Sequence, residues 1–201
     1  MKKILINFAH PALSRSKINK ELLLAVKELP NVTINNLYDN YPDFIINVER
    51  EQQLCETHDI IIFQHPFYWY SSPSIVQEWC GLVLEHGWAY GAHGNALKNK
   101  FILQAISTGG EYNTYNENGS NVFTINELLS PFKAMAKLCK LTYLPPFMVM
   151  GMHRGLSESK INAYKEDYRR MIIALSDETL DISKASNFPY LNSDLDSIIK
   201  R

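Results

Sequence analysis

Cysteine is scarce: the 201-residue chain carries three, Cys55, Cys80 and Cys139, and no two of them form a CxxC pair. An odd, scattered set excludes a disulfide framework and a cysteine-built zinc site, and it points to a reducing, cytoplasmic setting. Excess charge of either sign is also missing. Twenty Lys and Arg against 21 Asp and Glu leave a formal net charge of −1, so no basic face is available for phosphate backbones and nucleic acid is not an expected partner. Nor is there a membrane-spanning run. "MKKILINFAH" begins as a signal peptide does, but its apolar run stops after six residues without a small-residue cleavage site. Ile60 to Gln77 lacks charge over eighteen positions, yet Gln64, His65, three serines and two prolines would be stranded in lipid. His58, His65, His93 and His153 show no metal-ligand spacing, so no metal is expected. No GxGxxG follows the first apolar run and no GxxxxGK[ST] is present, which disfavours a dinucleotide across the first turn and a phosphate loop. "NFAHP" likewise lacks the acidic cluster of a magnesium-dependent phosphoreceiver domain.

What is present is 46% hydrophobic residues in alternating patterns, enough for one domain with a sizeable core. "KILINFA" from Lys3, "DIIIFQH" from Asp59 and "KFILQAIS" from Lys100 are short apolar runs suited to strands buried on both faces. "VTINNLY" at Val32 alternates as an edge strand does, and "LPPFMVMG" at Leu144 suggests a fifth strand that its prolines make start late. Helical stripes lie between them: Leu22, Val26 and Leu29; Val76, Trp79 and Val83 after Pro73; and Ile161, Tyr164, Tyr168, Met171 and Leu175 after a cap at Ser157. Strand and helix therefore alternate. This order predicts an α/β flavodoxin-like three-layer fold, a five-stranded parallel sheet of order 2-1-3-4-5 with helices on both faces and a ligand crevice at the carboxyl ends of the strands. The domain is expected over 1–176, and the more polar 177–201 reads as a C-terminal surface extension.

Three strand-exit loops hold the unusual residues. After the first strand come His10, Ser14, Arg15 and Ser16, leading into a helix whose free N–H groups and positive dipole end suit a monophosphate; Ser14 or Ser16 serves equally as an ordinary helix cap. After the fourth strand, "STGG" places two glycines where backbone approaches a planar ligand closely, or simply turns. After the third strand, Phe67, Tyr68, Trp69 and Tyr70 offer ring surfaces worth about 0.5–1.5 kcal/mol each beyond area burial. Any one of them could cap the core; four in succession on a loop suggest a planar ligand. A monophosphate site, a planar-ring site and this fold order together describe a pocket for flavin mononucleotide.

In "AHP" at Ala9, "YPDF" at Tyr41, "QHPFYWYSSP" at Gln64, "EHGWAYG" at Glu85, "STGG" at Ser107 and "LPPF" at Leu144, the chain resembles the flavodoxin-like NAD(P)H dehydrogenase (quinone) family. It is most similar there to the ancillary oxidoreductase subunits of glutathione-gated potassium efflux systems and to stand-alone bacterial quinone reductases. The resemblance implies an FMN-dependent homodimer, with FAD less suited, that carries hydride from NAD(P)H to a quinone by a ping-pong route. It implies that His10, Ser16, Lys17, Ile18 and Asn19 hold the phosphate and ribityl end. Pro66, Phe67, Tyr68, Trp69 and Tyr70 would then surround the isoalloxazine with Ser107, Thr108, Gly109 and Gly110. Catalytic donors would be the Gly109 and Gly110 amides and, second, Tyr115, which otherwise reads as a surface-loop tyrosine. The mammalian enzymes' histidine beyond the diglycine falls near Asn121 here, a departure from the pattern. The alternative role is a regulatory subunit that binds and activates a potassium efflux antiporter, placing a cytoplasmic protein peripherally at the inner membrane. A one-electron carrier is a weaker third reading, because carriers usually present an acidic docking face.

Overall fold

The computed structural model describes residues 1–200. Its apolar runs form a parallel sheet of β1 (Ile4–Phe8), β2 (Val32–Asn36), β3 (Ile60–Pro66), β4 (Phe101–Ser107), and a fifth strand divided into β5 (Thr142–Tyr143) and β6 (Phe147–Val149). The break falls at Pro145 and Pro146, which have no N–H to give to the ladder. Both pieces run parallel beside β4. The order is 2-1-3-4-5, the flavodoxin-like arrangement that the alternation predicted.

Around the sheet lie α1 (Ile18–Val26), α2 (Leu37–Asn40), α3 (Val48–Thr57), α4 (Ser74–Val83), α5 (Ile125–Leu128), α6 (Ser130–Leu138), α7 (Glu158–Ser176), α8 (Ile182–Ala185) and α9 (Leu195–Ile198). Successive strand side chains point to opposite faces, and the core is split accordingly. Leu5, Ile61 and Phe63 pack with Trp79 of α4 and Phe132 of α6. Ile4, Ile6, Ile60 and Ile62 pack with Leu22 of α1 and with Tyr168 and Met171 of α7. Each such fully buried side chain contributes about 1.5–3 kcal/mol. The expected cap is in place: Ser157 Oγ accepts from the Lys160 amide at 3.3 Å.

One face also buries a carboxylate. Glu51 of α3 is fully buried and accepts from Asn35 Nδ2, Tyr41 Oη and Trp79 Nε1, each at 2.7 Å, and from Arg50. Four donors compensate the desolvation of that charge, and in doing so they tie β2, the residue after α2, α3 and α4 together.

The segment after Ser176 is more embedded than its polar sequence implies. Leu180, Ala185, Leu191, Leu195 and Ile198 all enter the second apolar cluster. Asn192 pairs with both the amide and the carbonyl of Met148, at 2.9 and 2.8 Å, and the Leu191 amide donates to Pro146 O. Short turns separate these apolar residues, so no helical or strand period connects them in the sequence.

Candidate cofactor site

Register decides which loops meet. Phe8 lies opposite Gln64 and Pro66 opposite Ser107, and the ladder continues past the strand ends through Ala9 N to Gln64 O, Phe67 N to Ser107 O and Thr108 N to Val149 O, at 2.8–2.9 Å. The exits of β1, β3, β4 and β6 are thereby gathered at one edge. They enclose a cavity of about 410 Å³ lined by His10, Ser16, Lys17, Ile18, Asn19, Pro66, Phe67, Tyr68, Ser107, Thr108 and Gly109, together with residues following β6. This lies within the usual size range for small-molecule sites.

At one end of the cavity α1 begins without a side-chain cap, so the amides of its first turn are available to an anion. Asn19 is buried there and anchored twice. Its Nδ2 donates to Ser107 Oγ at 2.8 Å, and its carbonyl accepts from Gln64 Nε2 at 3.0 Å. Its Oδ1 has no hydrogen-bond partner among the described residues. Leaving such a buried acceptor unsatisfied costs about 1–3 kcal/mol, and its residue belongs to the cavity lining. His10 is fixed by the Ala12 amide, which donates to Nδ1 at 3.1 Å, leaving the proton of the neutral ring on Nε2. Burial lowers its pKa, against a smaller opposing hydrogen bond to its own backbone.

At the other end stands the diglycine. The carbonyls of Thr108, Gly109 and Gly110 accept from the amides of Met152, His153 and Gly151, at 3.0, 3.2 and 2.9 Å. Pinning three carbonyls one way turns the peptide N–H groups the other way, an arrangement suited to donating toward developing negative charge. His153 lies directly against Gly109. A Cβ on that glycine would sit 2.1 Å from His153 Nε2.

A second cavity of about 290 Å³ adjoins the first, sharing Phe67, Gly109 and His153 and adding Trp69, Tyr70, Gly110, Tyr115 and Asn121. The four rings after β3 therefore do not form one wall. Phe67 is buried, and Tyr68 faces His10 with ring centroids 6.4 Å apart. Trp69 and Tyr70 take left-handed backbone angles, φ 49° and 62°, in a tight turn closed by a Tyr68–Ser71 bridge. That turn leaves Trp69 92% exposed. Tyr115 is buried against Phe67, with centroids 6.2 Å apart, and is not a surface-loop residue. Burial raises its pKa, offset in part by hydrogen bonding with Thr108 and Gly110. Asn121 receives the Tyr70 hydroxyl at 3.1 Å.

The structure thus brings His10, Ser16, Lys17, Ile18, Asn19, Pro66, Phe67, Tyr68, Ser107, Thr108 and Gly109 around one cavity. Trp69, Tyr70, Gly110 and Tyr115 border only its neighbour. Sequence reasoning missed Met152, His153, Gly155, Leu156 and Ile161, which close the larger cavity from the chain after β6. The available signal was topological, because that loop also leaves a carboxyl end of the sheet. The "HGWAYG" loop packs within the chain, Trp88 Nε1 donating to Glu56 of α3 at 2.7 Å.

A three-layer sheet of this order, with its cavity at the switch point between β1 and β3, is the architecture of flavodoxin-like proteins. Comparison with known proteins agrees. Residues 2–172 match the family described as Flavodoxin-like fold. The glutathione-regulated potassium-efflux system ancillary protein KefG of Pectobacterium atrosepticum is 41% identical over 167 residues, 82% of this chain and 91% of that protein. General stress protein 14 of Treponema denticola, solved in complex with FMN, superposes with a TM-score of 0.79 at 36% identity, covering 88% of this chain and 98% of that one. An NADPH-quinone reductase from P. pentosaceus superposes with a TM-score of 0.77 at 33% identity, covering 84% and 96%. The chain belongs to the flavodoxin-like NAD(P)H quinone oxidoreductase family.

Proposed function

We propose that the chain is an FMN-dependent NAD(P)H:quinone oxidoreductase, in which hydride passes from NAD(P)H to a quinone by two half-reactions at one site. The observation that carries this reading is the meeting around one cavity of the uncapped start of α1, the ring-bearing turn after β3 and the first glycine of the diglycine, which matches a phosphate, a hydroxyl-bearing chain and a ring system in that order. When bound, FMN supplies the hydride-accepting and hydride-donating chemistry.

The protein's part is positioning and charge stabilisation. The uncapped start of α1 with Ser16 and Lys17 holds the phosphate, and Asn19 and His10 Nε2–H meet the hydroxyls. Pro66, Phe67, Tyr68 and Thr108 border the ring. The Gly109 amide and, behind Gly110, the Tyr115 hydroxyl provide donors where negative charge develops. The smaller cavity, with Trp69, Tyr70 and Asn121, receives the nicotinamide and then the quinone. Exposed Trp69 in that cavity's lining, with exposed Val122 and Phe123 next in the chain after its Asn121, supports a homodimer that covers it.

The test is the visible spectrum of the purified protein with FMN, then NADPH without oxygen, then a benzoquinone. Bleaching followed by recovery is the expected result, and flavin that fails to bind ends this reading. The likeness to KefG favours a second role, as a cytoplasmic subunit held peripherally at the inner membrane by a potassium efflux antiporter that it activates. That role predicts that the protein raises potassium efflux from cells expressing the antiporter; efflux unchanged by the protein removes it.

A further inference from the structure

A third cavity, of about 380 Å³, lies away from the site above, between the α5–α6 corner, the proline-broken fifth strand and the C-terminal segment. Its lining is Asn126, Lys133, Tyr143, Pro145, Ser186 and Phe188. Ser186 and Phe188 fall beyond residues 2–172 that the family shares, so one wall comes from the chain's own C-terminal segment. That wall is fastened in place: Asn126 Nδ2 donates to Pro189 O at 3.3 Å, and Leu191 and Asn192 bond to the backbone around β6.

Lys133 is half-buried and forms no ion pair among the described residues. Its sole hydrogen-bond partner among the described residues is the neutral Asn126 Oδ1 at 3.2 Å, which leaves two of its three N–H donors without a partner in the protein. Partial burial already disfavours the ammonium form, a cost that an anion beside Nζ would reverse. The other side chains supply surface instead of charge. Tyr143 commits its hydroxyl proton inward, to Gln104 Oε1 at 2.7 Å, so its ring is what it offers the cavity. Pro145 and Phe188 add apolar surface, and Asn126 Nδ2 is already engaged by Pro189. One cation among ring and proline surfaces suits a single negative charge on a flat apolar body. A phosphate dianion would need more donors than the cavity has.

We propose that this cavity binds a small aromatic monocarboxylate, its carboxylate on Lys133 and its ring among Tyr143, Pro145 and Phe188. The proposal does not depend on the flavin reading.

Benzoate is the probe, with benzamide as its uncharged counterpart, titrated onto the full-length protein and followed by amide NMR. Benzoate is expected to shift the resonances of Lys133, Tyr143, Ser186 and Phe188, with benzamide at least tenfold weaker. Lys133→Gln should weaken benzoate about tenfold and Lys133→Arg should restore most of the loss. Phe188→Ala, which leaves the charge in place, should weaken both ligands alike. Shifts confined to Ser16 and Gly109, equal affinity in Lys133→Gln, or no shifts at tens of millimolar benzoate would each overturn the proposal.

Discussion

The imidazole of His153 occupies the space that a side chain on Gly109 would need: a Cβ there would stand 2.1 Å from both Nε2 and Cδ2 of the ring. Two loops that follow different strands are thus interlocked where the two cavities meet. A Gly109→Ala substitution must displace the exposed His153 ring from its place between the two cavities. FMN binding, read by flavin fluorescence quenching, should weaken tenfold or more in Gly109→Ala and recover substantially in the Gly109→Ala/His153→Ala double variant. Strict additivity of the two substitutions would show that the contact is not what excludes alanine.

Asn19 offers a separation of binding from folding. Its Oδ1 has no partner among the described residues, while Nδ2 bonds to Ser107. Replacing it with leucine removes one buried unsatisfied acceptor but leaves Ser107 Oγ without its donor, so the net cost in stability is about 1–2 kcal/mol. Asn19→Leu should therefore lower the melting temperature by only a few degrees yet bind FMN at least tenfold more weakly. A parallel loss of melting temperature and affinity would reduce Asn19 to a core residue.

His65 makes stability depend on pH. It is fully buried, its Nδ1–H donates to Pro66 O at 2.9 Å, and its Nε2 faces the Gln104 amide at 3.4 Å. Burial pushes its pKa from the ordinary 6.5 down to about 4, against a smaller opposing effect of the Pro66 hydrogen bond. Below pH 6.5 the unfolded chain takes up a proton that the folded one refuses. Stability present above that pH is therefore lost as the pH falls toward 4, by about 3 kcal/mol for this group. His10 and His58, lowered chiefly by burial, act in the same direction. Urea unfolding of wild type and His65→Gln across this window should show the shallower slope in the variant; identical slopes would rule out His65 as the source.

Glu51 should be the most sensitive polar position in the core. Glu51→Leu strands the Trp79, Tyr41 and Asn35 donors and leaves Arg50 without its carboxylate. A loss of about 3 kcal/mol or more in chemical denaturation is expected. A change under about 1 kcal/mol would mean that the network rearranges around the loss.

Local pattern and turn chemistry determined the architecture. Five apolar runs separated by helical stripes allow few arrangements once crossovers are right-handed; the paired prolines at 145 and 146 imply a late start for the fifth strand, but it begins ahead of them at Thr142 and they divide it. Pattern and turn chemistry also placed the cavity, because loops at carboxyl ends of a parallel sheet converge whatever their composition. Tertiary structure alone decided the rest. Two consecutive left-handed residues turned Trp69 outward from its neighbours, and no period in "FYWY" encodes that. His153 reached Gly109 through backbone pairing between chain segments some forty residues apart, and Glu51 met Asn35, Tyr41 and Trp79 from three other parts of the chain. The C-terminal segment found the core by packing its scattered apolar residues one at a time. Each of these depends on distances between elements that short-range sequence spacing does not contain.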